Sequence, residues 1–285
     1  MSTAQRPRLS FEFFPPKTPT GRKKLAATLG ELNQLGPNFF SVTYGAGGST
    51  RDTTRDVVRE INEADIAVAP HLSFGGHSER EIAGLLDEYQ QMGISRLVTL
   101  RGDVPSGMGG ASQLSHADEL VSFVRQQCGD HFTIDVAAYP EIHPEASSYS
   151  QDIRHLKGKF DAGANSAITQ YFYNADAYFY FLDRCMDAGI TQPIYAGVMP
   201  IINFANLQRF STNCGAEIPR WIAARMCDFE NDPESIQAFA ADVVSQLCDT
   251  LLSNGAPGIH FYTMNQAAPT RVIWDRLKLS SRQGI

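Results

Sequence analysis

Glu12 stands in Ser10-Phe11-Glu12-Phe13-Phe14-Pro15-Pro16, an acid set among aromatic residues. Side chains alternate along a strand, so if Phe11 and Phe13 turn outward, Glu12 turns the other way. A carboxyl group walled by aromatics is poorly solvated, which favours its neutral form and suits it to donate a proton near neutrality. The competing reading is a structural glutamate paired with an internal arginine or lysine. Leu100-Arg101-Gly102-Asp103 offers a glycine where backbone can approach a ligand, between charges able to bind phosphate and a polar ring. The same string also suits a surface turn. Tyr139-Pro140-Glu141-Ile142-His143-Pro144-Glu145-Ala146 gathers a phenol, an imidazole and two carboxylates on a segment stiffened by two prolines.

Asp152, His155 and Lys159 follow at i, i+3 and i+7, one face of a helix. Such a stripe is ordinarily the solvated face, but Lys159 could hold a phosphate if that face borders a binding cavity. Gln170, after Thr169, is a neutral amide able to read the donor–acceptor edge of a heterocycle. Thr43 in Val42-Thr43-Tyr44-Gly45 and His71 in Ala69-Pro70-His71-Leu72 carry weaker signals, because a lone histidine on an apolar strand is usually a satisfied core residue. The loop Gly47-Gly48-Ser49-Thr50 reads equally well as a simple tight connection. Tyr171-Phe172-Tyr173 and Tyr178–Phe181 read as core or subunit interface.

The seven histidines show no HExxH or paired spacing, and no GxSxG elbow is present. The five cysteines, Cys128, Cys185, Cys214, Cys227 and Cys248, never form CxxC, so buried free thiols are expected rather than a disulfide framework or a metal site. One buried acid, an amide, aromatics and a lysine for phosphate fit an enzyme whose hard chemistry belongs to an organic cofactor.

These residues need a scaffold. The 285 residues are 43% hydrophobic and 19% charged, a globular composition. The net charge of −7, with no lysine–arginine run, argues against a nucleic-acid partner. Met1–Leu9 has no apolar stretch, and the apolar runs are strand-sized, so neither a secretory signal nor a membrane span is expected and the cytoplasm is the default. Strand-like runs recur at Leu9–Phe14, Phe39–Tyr44, Ala67–Ser73, Arg96–Arg101, Thr133–Tyr139, Ser166–Phe172, Pro193–Met199 and Gly258–Met264. Amphipathic segments alternate with them: Leu25–Leu35, Asp52–Asn62, Ser78–Met92, Ala117–Cys128, Asp152–Ala162, Ala175–Ala188, Leu207–Ser211 and Ser235–Asn254. Helices are expected to stop at Gly36, Gly93, Gly129, Gly163, Gly189 and Gly255. Eight such units predict an α/β fold, a single (β/α)8 TIM barrel over residues 1–285, with its chemistry at the C-terminal ends of the strands. The rival, a doubly wound open sheet, lacks its fingerprint: Gly45-Ala46-Gly47-Gly48 has no third glycine of a dinucleotide loop, and there is no Walker A string.

Taken in order, the strand-end strings resemble the methylenetetrahydrofolate reductase family. They are Ser10–Pro16 (SFEFFPP), Ser41–Ala46 (SVTYGA), Ala69–Leu72 (APHL), Leu100–Asp103 (LRGD), Ala137–Glu145 (AAYPEIHPE), Asp161–Gln170 (DAGANSAITQ) and His260–Asn265 (HFYTMN). The resemblance spans the chain and covers the bacterial-type catalytic barrel alone. It implies FAD at the C-terminal face and a ping-pong reaction in one-carbon metabolism. NADH or NADPH would reduce the flavin, and 5,10-methylenetetrahydrofolate would then accept hydride to become 5-methyltetrahydrofolate. By motif, Glu12 matches the general acid that assists opening of the folate's five-membered ring, and Asp103 the carboxylate that meets the pterin and tunes the flavin. Thr43, His71, Arg101, Gly102, Tyr139, His143, Ala146, Asp152 and Lys159 fall on flavin-contacting positions, as do His116, Ala117 and His155. Gln170 matches a substrate amide, and Phe210 an aromatic for nicotinamide and pterin.

Two positions depart from well-known bacterial members: Asn206 stands for a glutamine and Gln266 for an arginine. Loss of that cation near the substrate site leaves open a chain working mainly in the oxidative direction. Other readings are a non-catalytic flavin- or folate-binding barrel and a flavin-free pterin-dependent methyltransferase. Barrels of this family often assemble, so a homo-oligomer is expected.

Overall fold

The computed structural model describes residues 6–44, 51–74, 78–101, 116–229 and 232–279. Eight strands form in the places the alternation predicts: β1 (Arg8–Phe13), β2 (Phe39–Val42), β3 (Val68–Leu72), β4 (Arg96–Thr99), β5 (Thr133–Ala138), β6 (Ser166–Thr169), β7 (Ile194–Val198) and β8 (Gly258–Tyr262). Each pairs in parallel with its sequence neighbours, and β8 closes on β1 through Ser10↔His260 and Glu12↔Tyr262. This is the closed (β/α)8 barrel expected.

The ten helices among the described residues are α1 (Pro19–Asn33), α2 (Arg51–Glu63), α3 (Glu79–Gln91), α4 (Ala117–Cys128), α5 (Tyr149–Asp161), α6 (Ala175–Asp187), α7 (Phe204–Cys214), α8 (Arg220–Asp228), α9 (Pro233–Ser253) and α10 (Ala267–Arg276). Two of them, α8 and α10, were not expected. The first is short and buries only Ile222 and Met226, too little apolar repeat to stand out. The second carries Pro269 in its first turn, where a missing N–H is tolerated, and the proline masks the helical pattern. The glycines expected after helices all have positive φ, from 57° at Gly129 to 113° at Gly163.

Two apolar layers hold the barrel. Outside the sheet, Phe11 packs against Phe40 and Trp274 at ring separations of 5.9 and 5.6 Å. Inside it, Phe39, Ala69, Val98 and Ile168 form a separate small cluster. The alternation read for the first strand therefore holds: Phe11 and Phe13 pack outward, and Ser10 and Glu12 face the lumen. At the N-terminal end of the lumen Arg8 and Arg96 each bind Asp135 Oδ2 at 2.9 Å, and Arg8 also covers the rings of Phe39 and Tyr195 at 4.5 and 4.2 Å. Burial alone would push the Asp135 carboxyl up, but the two guanidinium groups and the Ser166 hydroxyl outweigh it and hold it below the usual carboxylate range. This layer stops the lumen from below.

The aromatic run of α6 divides. Tyr178 stacks on Phe172 at 5.5 Å and donates to Ile194 O, Phe181 is buried, and Tyr180 is 58% exposed. All five cysteines are free thiols, but of the five expected to be buried only Cys185 and Cys248 are; Cys128 and Cys214 are half-buried and Cys227 is exposed. Among the described residues no helix is long and apolar enough to cross a membrane.

Candidate active site

At its C-terminal end β1 presents Glu12 to the lumen, and its backbone carbonyl is fixed by Thr263 just beyond β8, whose hydroxyl donates to it at 2.6 Å. The Glu12 side chain is 17% exposed and meets two imidazoles. His260 Nε2 lies 3.3 Å from Glu12 Oε2, and His71 Nε2 lies 3.4 Å from the same oxygen without hydrogen-bond geometry. Burial pushes the His71 imidazole below its ordinary range, against the pull of Glu12, so it is neutral at pH 7. Among the described residues the partner of Glu12 is thus neither arginine nor lysine, and the internal arginines Arg8 and Arg96 are taken up by Asp135. His260 escaped the sequence reading, since 189 residues separate it from His71 and only ring closure brings them together.

Above Glu12 opens a cavity of about 450 Å³ whose wall includes Thr43, His71, Tyr139, Gln170 and Phe210. Gln170 Oε1 accepts from Tyr171 N–H at 3.0 Å, which orients the amide and leaves its –NH₂ side for a ligand. Phe210 stands on α7, an apolar ring on the rim with the Arg209 guanidinium 5.3 Å above it. Tyr171 is buried in the core, as its aromatic run predicts, and also lines the cavity; its hydroxyl meets Ser211 Oγ at 3.0 Å and Cys214 Sγ at 3.4 Å. Those contacts tie the end of β6 to the helix that carries Phe210.

The floor depends on a glycine. Tyr262 reaches across the lumen to donate to Thr169 O at 2.7 Å, and Gly197 N–H donates to Thr169 Oγ1 at 2.8 Å. A Cβ at Gly197 would lie 1.9 Å from Thr169 O and 2.7 Å from Tyr262 Cε2, so only glycine lets the ring settle there.

A second cavity, of about 650 Å³, adjoins the first and shares Tyr44, Leu100, Ala137 and Tyr139 with it. Arg101, His116, Ala117, His143, Ala146, Asp152, His155 and Lys159 all line it. The stripe on α5 is therefore not merely a solvated face. Its helix starts at Tyr149, capped by the Ser148 hydroxyl, and Asp152 Oδ2 accepts from His143 N–H at 2.9 Å, pinning the proline-stiffened loop to the helix. Lys159 Nζ donates to Ala137 O at 2.7 Å, and burial of the ammonium lowers its pKa to about 8. Burial likewise lowers the His143 imidazole, against the pull of Asp152. Arg101, 43% exposed, forms an ion pair with Glu145 at the rim.

Some expected residues are not brought in. Asn206 is exposed and accepts from Arg209 at 3.3 Å, and Gln266 is exposed at the start of α10; neither lines either cavity. Gly102 and Asp103 lie outside the described residues. Among the described residues no cluster of histidine, cysteine and carboxylate side chains could hold a metal.

A family model described as methylenetetrahydrofolate reductase matches residues 1–278. The chain is 40% identical to the 5,10-methylenetetrahydrofolate reductase of Pectobacterium carotovorum subsp. carotovorum, covering 91% of this chain and 86% of that protein. It is 38% identical to the Escherichia coli (strain K12) protein of the same name, with the same coverage. A probable methylenetetrahydrofolate reductase (NADH) of Oryza sativa is 36% identical over 90% of this chain and 46% of its own length. Among solved structures, a Clostridium thermocellum protein described as binding two copies of 5-methyl-5,6,7,8-tetrahydrofolic acid superposes with a TM-score of 0.71 at 17% identity, covering 99% of this chain and 97% of that one. At that identity the likeness speaks for the fold.

Proposed function

The chain belongs to the methylenetetrahydrofolate reductase family, and from that premise we propose that it interconverts 5,10-methylenetetrahydrofolate and 5-methyltetrahydrofolate, with FAD as cofactor and NADH or NADPH as electron partner. The observation that carries this reading is the pair of joined cavities, one holding an acid within a largely apolar wall and the other lined by cationic and imidazole side chains. The donor set of the second cavity suits a dinucleotide. Lys159, Arg101 and His155 would hold phosphate oxygens, and Asp152 keeps the His143 loop in place beside them. Bound there, the flavin would supply hydride-carrying chemistry that no side chain in the wall can supply.

In the first cavity Gln170 offers an oriented amide to the pterin edge, and Phe210 offers a ring face. Glu12 would donate a proton to the amine nitrogen that departs as the folate's five-membered ring opens. His71, neutral, adds no competing charge beside that acid. The NADH in the names of the plant relatives supports NADH as electron partner. Gln266 lies away from the cavity wall, so its departure from the family pattern gives no ground for a chiefly oxidative enzyme.

The test is the visible spectrum of the purified protein as 5-methyltetrahydrofolate is added without oxygen. Bleaching of a yellow flavin band is expected. A colourless protein would remove FAD, and a yellow one that stays yellow would remove the folate half of the reaction.

A further inference from the structure

Phe14 is an apolar ring that the core does not use. Its side chain is 42% exposed and belongs to neither apolar layer, and among the described residues no other ring stacks on it. It nevertheless lines the first cavity. Alternation continued past the end of β1 turns Phe14 back to the side of Glu12. Two residues of extended chain place it about 7 Å above that acid, at the mouth.

The fold holds the backbone of this residue firmly. The side-chain amide of Asn265 engages both the N–H and the carbonyl of Phe14, and Pro15 and Pro16 stiffen the chain that follows. Asn265 is itself braced, since its N–H donates to Thr263 Oγ1 at 3.2 Å. Met264 and Asn265 both occupy the left-handed region, at φ of 52° and 55°, an unfavourable pair of conformations for residues other than glycine. The strain and the exposed ring both cost stability in the free protein, and the β1–β8 ladder closes the barrel without either. A ligand that covers the ring accounts for both.

The floor of the barrel decides which part of a ligand reaches Phe14. The ionic layer of Arg8, Asp135 and Arg96 stops the lumen from below. A folate whose reacting nitrogen meets Glu12 must therefore extend its remaining length towards the mouth. The first group beyond the pterin, one short methyleneamine link away, is the p-aminobenzoyl ring. We propose that Phe14 packs against this aryl ring as the tail leaves the cavity, so that the enzyme selects a pterin carrying an aryl group over a bare one. The inference rests on the folate reading of the first cavity, and it makes Phe14 a specificity-determining residue. Other rings of the wall are engaged elsewhere. Tyr171 and Tyr262 bind protein oxygens through their hydroxyls, Tyr139 packs edge-on against His143, and Phe210 is the face proposed for the pterin.

Phe14→Ala, compared with the wild type as FAD-loaded protein, tests this by calorimetry without oxygen. Two probes separate tail from pterin: 5-formyltetrahydrofolate keeps both but has no N5-methyl hydride to give, and 6-methyltetrahydropterin lacks the tail. The variant should bind 5-formyltetrahydrofolate about 10-fold more weakly. It should bind 6-methyltetrahydropterin as the wild type does, and Phe14→Tyr, which keeps a ring face, should bind the folate normally. NADH carries an adenine ring that could use the same face, so turnover is compared as well. The KM for 5-methyltetrahydrofolate should rise in Phe14→Ala, while kcat and the KM for NADH hold. Unchanged folate binding, equal weakening of 6-methyltetrahydropterin, or an equal rise in the KM for NADH would overturn the inference. Should Phe14→Ala fail to fold, Phe14→Leu, which keeps apolar bulk without a ring face, should show a smaller loss of the same kind. A wild-type protein that does not bind 5-formyltetrahydrofolate overturns the folate reading itself, and this inference with it. Binding by the wild type that the variants leave unchanged removes Phe14 alone.

Discussion

The side-chain amide of Asn265 closes on the backbone of Phe14 from both sides, accepting from its N–H at 3.0 Å and donating to its carbonyl at 2.8 Å. The clamp joins the segment after β8 to the segment after β1, two residues beyond Glu12. Asn265 holds a φ of 55°, a left-handed conformation that asparagine tolerates better than most side chains. Asn265→Ala should lose both bonds, lowering the thermal midpoint by roughly 3–6 °C. Folate turnover should fall further than NADH oxidation, because the acid lies nearer the clamp than the cationic cavity does. Equal losses in steady-state assays of the two would show that the clamp only stabilises.

Glu12→Gln keeps the shape of the side chain and removes its acid. Flavin binding and NADH oxidation should persist, while folate reduction drops by about 10²–10⁴-fold. Stopped-flow traces of the two half-reactions separate them, and near-normal folate reduction in this variant would take Glu12 out of the chemistry.

Lys159 gives opposite pH signs for binding and for stability. Its pKa falls from 10.5 to about 8 through burial, so between those values the unfolded chain holds a proton that the folded chain lacks. Through that window its contribution to stability rises with pH. Binding of a phosphate needs the ammonium form, so FAD affinity should weaken as pH rises above about 8. Lys159→Met should bind FAD about 10–100-fold more weakly at pH 7 and lose most of the pH dependence. Fluorescence titration at several pH values reads both effects.

Glu141 carries the opposite linkage. Burial, aided by the nearby charge of Glu217, raises its carboxyl from 4.5 to about 7, although the Glu217 N–H donates to it at 2.8 Å. The folded chain then binds more protons than the unfolded chain between those values, and stability from this group is lost as pH rises through about 7. Glu141→Gln should melt above the wild type at pH 8 and lose that advantage at pH 4.5. A difference in melting temperature that does not change with pH would contradict this.

Gly197→Ala should fold poorly, since its Cβ would collide with Thr169 O and Tyr262. A cost above about 3 kcal/mol is expected, read as a fall in the denaturant midpoint. Tyr262→Phe relieves none of the clash with Thr169 O, so combining the two should not rescue folding.

The barrel was legible because each strand–helix unit declares itself locally, through apolar runs and through glycines that end helices. The polar stripe of α5 was legible as spacing on one helix, although spacing alone reads as a solvated face; that it lines the second cavity came from the fold. What stayed hidden depends on closure of the ring. His260 reaches Glu12 only because β8 pairs with β1, and Tyr171 reaches Ser211 only because α7 folds back over β6. No periodicity encodes such contacts. The strands also end one to three residues earlier than the apolar runs suggest, so Tyr44, Arg101 and Tyr139 stand in the loops above the sheet, where ligand-facing residues of a barrel belong.

The ionic layer of Arg8, Asp135 and Arg96 makes the barrel a cup and not a tube. A cup fills and drains at its rim. Whatever leaves the lumen must pass the place where the next molecule arrives, so a crowded rim slows its own traffic. Saturating either partner should then delay the other, and the slower departure sets the tempo of the whole cycle.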